Sequence, residues 1–202
     1  MSKGLFILGF GGHARSIGDI ALSSGFNDLT FVDEQAKEGE EFAGFPAVAV
    51  LPSNAIGSGW LMFPGLGDNS RRRAQCETAL LPLATLIAPT ASVGTQCEIG
   101  QGSFVGHQAH LGPLARVGRG VIINSGAIVD HECVIGDFSH ISINATVAGR
   151  CRIGAEVMVG AGATVIDGIS ICANVIVGAG ATVVRDIEVP GVYTGTPARR
   201  TR

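Results

Sequence analysis

Three side chains capable of proton chemistry lie in one short stretch near the middle of the chain: His131, Glu132 and His140. An imidazole titrates near neutral pH, so it can accept or deliver a proton during a reaction. A carboxylate beside a histidine can hold the ring in one tautomer and raise its basicity, as the acid of a catalytic triad does. The stretch VDHECVIGDFSH, residues 129–140, is therefore the first candidate for an active site.

The segment that must position these residues follows a six-residue repeat. Aliphatic residues begin successive hexads from Ile87 to Val183 without an insertion, and glycine or another small residue is frequent at the second and fifth positions. This period matches neither the face of an α-helix nor simple strand alternation, and it is typical of a hexapeptide-repeat parallel β-helix. Three hexads form one triangular coil, so residues about 18 apart stack on each other, with first positions directed into the core.

The repeat also predicts the surroundings of His131, which is third in its hexad and therefore near a corner of the prism. Gly149 should stack on His131 in the next coil, and we expect its missing side chain to leave an open slot above the imidazole. Ala161 and Ala179 are also 18 residues apart and should form a second column of small side chains, along which a thin ligand could lie.

The N-terminal part lacks the hexads and predicts a small parallel α/β unit. The strand candidates are GLFIL (4–8), LTFVDE (29–34) and WLMFPGLG (60–67), with helical patterns after the first and the third, the latter capped by Asp68 or Asn69. The turn GFGGHA after the first strand has the G-x-G-x-x-A spacing, and Asp33 follows the second strand. Such a turn can bring backbone N–H groups to a phosphate, although a tight turn without a ligand remains an alternative. A unit of this size favours a nucleoside diphosphate over NAD.

Composition excludes several classes of function. The net charge is −3 and no run of like charges is long, so we expect no nucleic-acid interface. No apolar run reaches about 18 residues, so we expect no membrane span. The basic clusters Arg71–Arg73 and Arg199–Arg202 are predicted to lie on solvated surface. The five cysteines fit neither a disulfide framework nor a metal site, no histidine set has metal-ligand spacing, and the expected location is cytoplasmic.

The predicted fold class is therefore α/β plus all-β, with two domains. Residues 1–83 are predicted to form a Rossmann-like nucleotide-binding unit, and residues 84–202 are predicted to form a parallel β-helix. Cys97, Cys133 and Cys151 fall at fifth positions and are predicted to fill its corners as small apolar groups.

The whole chain resembles the bacterial sugar O- and N-acyltransferases of the sialic acid O-acetyltransferase type, which include the acetyltransferase of the bacillosamine pathway. The segments that carry the resemblance are GFGGHA, FVDE, GLGDNSRRR, DHECVIGDFSH and PGVYTGTPAR. The resemblance implies a left-handed β-helix, a homotrimer with the active site between neighbouring prisms, and acetyl-CoA as the acyl donor.

The resemblance also assigns roles to individual residues. His131 is expected to be the general base and Glu132 its support. The expected contacts to acetyl-CoA are His140, Gly149, Ala161 and Ala179, and the expected contacts to the nucleotide sugar are Gly11, Gly12, His13, Asp33 and Glu34. No metal is implied.

Several functions stay open at this level. The amine of a nucleotide-linked amino-dideoxy sugar is favoured as the acceptor, because GFGGHA suits a diphosphate while Asp33 and Glu34 would repel the carboxylate of a sialic acid. O-acetylation of sialic acid is the alternative within the family. Outside this family, the alternatives are a non-catalytic nucleotide-binding β-helix, a protein like the γ-carbonic anhydrases, and an NAD-dependent sensor.

Overall fold

A computed structural model describes residues 4–201 of the chain. Residues 1–3 and Arg202, which belong to the predicted domain limits and the basic tail, lie outside the described residues. Within the described part, no helix has the length and apolar character needed to cross a lipid bilayer.

The N-terminal unit is a five-stranded sheet with two helices. Its elements are β1 (Gly4–Leu8), α1 (Gly12–Ser23), β2 (Asp28–Val32), β3 (Glu41–Phe42), β4 (Phe45–Val48), β5 (Leu61–Pro64) and α2 (Asn69–Glu77). The strand order is β3-β4-β2-β1-β5, and all neighbours are parallel except the β3–β4 hairpin. The three predicted strands are confirmed, and Asp68 caps α2 by accepting the Arg71 N–H at 2.9 Å. The β3–β4 hairpin was not predicted, because its strands are too short to show a pattern.

The hexads form a parallel β-helix with three faces. The first face contains β6 (Leu86–Ile87), β9 (Phe104–Val105), β12 (Ile122–Ile123), β15 (His140–Ile141), β18 (Met158–Val159), β21 (Val175–Val177), β23 (Gly191–Thr194) and β24 (Arg199–Arg200). The second face contains β7 (Ser92–Val93), β10 (His110–Leu111), β13 (Ile128–Val129), β16 (Thr146–Val147), β19 (Thr164–Val165) and β22 (Thr182–Val183). The third face contains β8 (Glu98–Ile99), β11 (Arg116–Val117), β14 (Val134–Ile135), β17 (Arg152–Ile153) and β20 (Ser170–Ile171).

The strand register confirms that residues of successive coils stack, as the repeat predicts. His110 pairs with Ile128, and Ile128 pairs with Thr146. First-position side chains are buried from Val105 onward, together with the corner residues Cys133 and Cys151. The first positions are less well covered at the N-terminal end of the prism, where Ile87 and Val93 are 37% and 41% exposed. These two residues belong to the first coil, and no earlier coil covers them.

The N-terminal unit packs on the first face of the prism. Phe104 and Ile122 point outward from this face, yet they are buried in one cluster with Ile17 of α1 and Phe63 of β5. The unit and the prism therefore share a core. The predicted class, an α/β unit followed by a hexapeptide-repeat β-helix, is confirmed.

Candidate active site

His131 and Glu132 form a hydrogen-bonded pair at the corner between the second and third faces, which we call the second corner. The chain leaves β13 at Val129 and turns at Glu132, whose φ of 59° lies in the left-handed region. The His131 Nδ1 lies 3.0 Å from the Glu132 Oε2. Because an ionised carboxylate can only accept, Nδ1 donates the hydrogen and Nε2 keeps its lone pair. This is the arrangement of a general base with an orienting acid.

The backbone of the second corner fixes the position of this pair. The His131 N–H donates to the Asp130 Oδ1 at 2.7 Å, and the His131 carbonyl accepts the Arg150 N–H of the next coil at 2.8 Å. The side chains of His131 and Glu132 remain 36% and 51% exposed. The ring is therefore held at its base and open to a ligand at its edge.

Gly149 stacks on His131 as predicted, but the expected open slot above the imidazole is absent. A β-carbon on Gly149 would lie 2.5 Å from the His131 Nε2 and 2.7 Å from Cε1. The ring itself therefore occupies the space that a side chain at position 149 would need. Any side chain at position 149 would displace the imidazole from its place against the Gly149 α-carbon. The Gly149 N–H donates no hydrogen bond among the described residues.

His140 and His13 meet on the other side of the prism, between α1 and the first face. Their ring centroids are 6.5 Å apart, and His13 also packs edge-on against Phe104 at 5.2 Å. The His140 Nε2 lies 3.2 Å from the Asn124 Nδ2. The His13 Nε2 and the His140 Nδ1 are buried, and neither has a hydrogen-bond partner among the described residues.

Both of these histidines are neutral at physiological pH. Burial, and then the positive charge of Arg72, lowers the pKa of His13 from 6.5 to about 4 and that of His140 to about 3. Because the Asn124 amide donates to the His140 Nε2, the His140 Nδ1 carries the hydrogen and can donate it to a ligand, and the His13 Nε2 is likewise unpaired among the described residues.

One chain does not bring His131 and His140 together. His140 lies in β15 on the first face, whereas His131 lies at the second corner, which joins the other two faces. Gly149 shares the second corner with His131. Ala161 and Ala179 follow β18 and β21 at the first corner, between the first and second faces. His131 and Gly149 thus lie along one edge of the second face, whereas Ala161 and Ala179 lie along its other edge and His140 lies on the first face.

The first corner has the low relief that the sequence predicted. Gly162 and Gly180 follow Ala161 and Ala179, and a β-carbon on either glycine would meet nothing within 4 Å. Both glycines have positive φ, 65° in each case, so the turns are tight as well as bare. A thin, extended ligand could lie along this corner.

The N-terminus of α1 is open at the predicted nucleotide site. A β-carbon on Gly11 or Gly12 would meet nothing within 4 Å. Asp33 does not point freely into this site, because its Oδ2 accepts the Phe10 N–H at 2.9 Å and its Oδ1 accepts the Gln35 N–H at 3.0 Å. Its carboxylate therefore holds the glycine turn in shape.

A pocket of about 550 Å³ adjoins this turn. Its polar lining includes Asp33, Glu34, Arg71 and Gln75. Glu34, unlike Asp33, makes no hydrogen bond to the glycine turn. Its carboxylate is therefore available to accept hydrogen bonds from the hydroxyl groups or the base of a nucleotide.

The prediction that the cluster Arg71–Arg73 is solvated was wrong for its middle member. Arg72 is only 1% exposed. Its guanidinium donates to the carbonyls of Gly120 and Phe138 at 2.6 Å each and to Asn69 Oδ1 at 2.8 Å. Burial lowers its pKa to about 10, which still leaves it charged at neutral pH. Arg72 and Cys76 are four residues apart, so they lie on one face of α2, and both are buried. This spacing was the signal in the sequence that Arg72 shares the buried face of the helix.

Across residues 4–201, no three side chains among histidine, cysteine, aspartate and glutamate converge as a metal site would require.

Two family models match the chain. Residues 4–79 match the PglD N-terminal domain, and residues 132–167 match the bacterial transferase hexapeptide, six repeats. No curated protein sequence is significantly similar to the chain.

Solved structures resemble the chain over nearly its whole length. The acetyltransferase domain of PglB from Neisseria gonorrhoeae is 32% identical, with a TM-score of 0.92, over 98% of this chain and 100% of that one. The same domain in complex with acetyl coenzyme A is 30% identical, with a TM-score of 0.90, over 99% and 100%. PerB from Caulobacter crescentus, in complex with CoA and GDP-perosamine, is 29% identical, with a TM-score of 0.89, over 98% and 97%.

Proposed function

Because the chain belongs to the bacillosamine-type family of sugar acyltransferases, we propose that it is an acetyl-CoA-dependent N-acetyltransferase of a nucleotide-linked amino-dideoxy sugar. The observation that carries this proposal is the His131–Glu132 pair, with its basic Nε2 exposed at the second corner. The PglB domain was solved with acetyl coenzyme A and PerB with CoA and GDP-perosamine, which supports both the donor and the class of acceptor.

His131 acts as the general base in this proposal. A thioester is already activated, so the amine can attack its carbonyl directly without a covalent enzyme intermediate. The His131 Nε2 takes the proton that the nitrogen loses, while Glu132 holds Nδ1–H and stabilises the imidazolium that forms. The Gly149 N–H, which donates no hydrogen bond among the described residues, is the candidate donor to the oxyanion of the tetrahedral intermediate.

The two groups of predicted residues favour an active site between two chains of a homotrimer. His131 and Gly149 from one chain supply the base and the oxyanion donor. His140, Ala161 and Ala179 from the neighbour supply the remaining acetyl-CoA contacts. Since these groups lie at different corners of one prism, the proposal takes each ligand to contact the second corner of one chain and the first corner of its neighbour.

The N-terminal unit binds the nucleotide part of the acceptor in this proposal. The open N-terminus of α1 at Gly11 and Gly12 offers backbone N–H groups to the diphosphate. Glu34 faces the adjoining pocket, whereas Asp33 shapes the turn. His13 is buried beside His140 and reaches a ligand only from the side of the first face.

An amine acceptor is favoured over the hydroxyl of a sialic acid. Asp33 and Glu34 place two carboxylates beside the pocket, and these would repel the carboxylate of a free sialic acid. The scaffold, carbonic anhydrase and NAD-sensor alternatives gain no support from the family to which the chain belongs.

The test is an acetyl-CoA consumption assay with GDP-, UDP- and dTDP-linked 4-amino-4,6-dideoxy sugars and the free amino sugars. We expect turnover of a nucleotide-linked compound and far poorer turnover of its free sugar. His131→Ala should lower kcat by about 10²- to 10⁴-fold and retain CoA binding, with a smaller loss in Glu132→Gln. Full activity of His131→Ala at neutral pH, or preferred acetylation of a sialic acid, would contradict the proposal.

A further inference from the structure

Asp167 is the next member of the stacked column that contains His131 and Gly149. It follows β19 at the second corner, as Gly149 follows β16 one coil earlier. Its Oδ2 lies 3.0 Å from the point that a β-carbon on Gly149 would occupy, and the His131 Nε2 lies 2.5 Å from the same point. Two polar atoms from different coils therefore converge over the bare α-carbon of Gly149.

The two atoms are close enough to bind one donor group together. Nε2 and Oδ2 lie 2.5 Å and 3.0 Å from the same point, so they are at most about 5.5 Å apart, and no hydrogen bond or ion pair joins His131 directly to Asp167 among the described residues. A substrate nitrogen that approaches from the exposed side of the corner can therefore lie about 2.9 Å from both atoms, the usual N–H···O distance.

Arg150 holds Asp167 in this orientation. The Arg150 Nη2 lies 2.6 Å from the Asp167 Oδ1, which leaves Oδ2 directed toward Gly149 and His131. Both side chains are about half exposed, so a ligand can reach the free oxygen. One carboxylate oxygen is thus used for positioning and the other is available for a substrate.

We propose that Asp167 determines the preference for an amine acceptor by binding the attacking nitrogen together with His131. This inference rests on the proposed function. An amine has at least two N–H donors and can bond to Nε2 and Oδ2 at once, whereas a hydroxyl has one donor and can satisfy only one of them. A protonated amine also gains a charge-assisted hydrogen bond to the carboxylate.

The proton balance of the transfer is complete with these groups. The acceptor ammonium releases one proton to water and keeps two N–H bonds, one to Asp167 and one to His131. As the N–C bond forms and the C–S bond breaks, the His131 Nε2 takes the proton of its N–H. The imidazolium then passes that proton to the CoA thiolate, and Asp167 stays ionised throughout.

The test compares wild type and Asp167→Asn with GDP-perosamine and the UDP- and dTDP-linked 4-amino-4,6-dideoxy hexoses. Each compound is paired with a counterpart that carries a hydroxyl in place of the amine. Asp167→Asn should raise KM for the amine about 10- to 100-fold, the usual range for a hydrogen bond to a charged group, and leave the hydroxyl compound unchanged. CoA affinity, measured by calorimetry, should stay at the wild-type value.

Two further variants separate substrate binding from a structural role. Arg150→Gln removes the anchor but keeps the carboxylate, so its effect on KM should be clearly smaller than that of Asp167→Asn. Glu98→Gln removes the acid of a different exposed ion pair, Arg116–Glu98, and should leave KM for the amine and hydroxyl compounds at the wild-type values.

The outcomes distinguish this inference from the proposed function. If wild type acetylates an amine compound but Asp167→Asn keeps the same KM, or if Arg150→Gln has an equal effect, the role of Asp167 is wrong while the proposed function stands. If wild type acetylates none of the amine compounds, or prefers a hydroxyl counterpart, both are overturned.

Discussion

The position of the His131 ring depends on a residue without a side chain. Glu132 fixes the tautomer through Nδ1, while Gly149 provides the surface against which Nε2 and Cε1 lie. A ring held from two sides loses little conformational freedom when the acceptor binds, which is an advantage for a general base. In the proposed mechanism, Gly149 therefore positions the general base His131 as well as contacting acetyl-CoA.

Replacing Gly149 by alanine tests this dependence. The added methyl group would overlap the His131 ring, which must rotate away from Glu132. We expect Gly149→Ala to lower kcat by about 10- to 100-fold, since a small misplacement of a catalytic group has large effects. Steady-state kinetics measure kcat, and a CoA titration measures CoA affinity separately. Wild-type kcat combined with weakened CoA binding would show that position 149 serves the donor alone.

Among the elements, α2 connects the N-terminal unit to the prism. It contributes the buried Arg72, whose guanidinium reaches the carbonyls of Gly120 and Phe138, and the exposed Arg73, which pairs with Glu156 at 2.8 Å. Gln75 also donates to the Leu8 carbonyl at the end of β1 at 2.7 Å. These contacts hold the N-terminal unit, with its pocket at Asp33 and Glu34, in place on the first face, where His140 lies.

The exchange of Arg72 for methionine should weaken this connection. The side chain keeps its volume, but the buried carbonyls of Gly120 and Phe138 lose their donors, at a cost of about 1–3 kcal/mol for each unsatisfied group. We expect urea denaturation at fixed protein concentration to show a loss of about 3 kcal/mol. The control is Arg71→Met on the exposed side of α2, which should stay within about 0.5 kcal/mol of wild type. Equal stability of the two variants would show that the buried guanidinium does not hold the units together.

For the whole molecule, the separation of the two residue groups is the decisive feature. His131 and Gly149 lie at the second corner, while His140 lies on the opposite face under α1. Exposed apolar side chains lie on the second face and at its borders, where a neighbouring chain could cover them: Ile128, Ile143 and Ile166. In the proposed trimer, the second corner of each prism would lie against the first corner of the next.

Mixed oligomers test the composite site. His131→Ala and His140→Ala chains should each be nearly inactive alone. If a site takes His131 from one chain and His140 from its neighbour, trimers reassembled from an equal mixture should recover about a quarter of wild-type activity, because a quarter of the interfaces combine both intact residues. Light scattering checks that the mixture is trimeric. No recovery from a well-mixed trimer would place both residues in the same site of one chain.

The sequence alone determined the β-helix, because a six-residue period of aliphatic residues has only one regular solution that buries them. It also determined the α/β unit, from strand, glycine turn and helix in succession, and it drew attention to His131 and Glu132 through their adjacency. The match of GFGGHA and DHECVIGDFSH to one family supplied the remaining site residues.

Only the tertiary structure decided which of these residues can act together. Residues 18 apart were known to stack, but whether the ring of His131 or a ligand fills the space at Gly149 depends on the rotamer, which spacing does not encode. The burial of Arg72 and the meeting of His13 with His140 depend on how α1 and α2 pack on the first face. Asp167 escaped notice because an aspartate at a prism corner is ordinarily solvated. Its importance arises from the coil-to-coil stacking that directs one oxygen toward His131 while Arg150 holds the other.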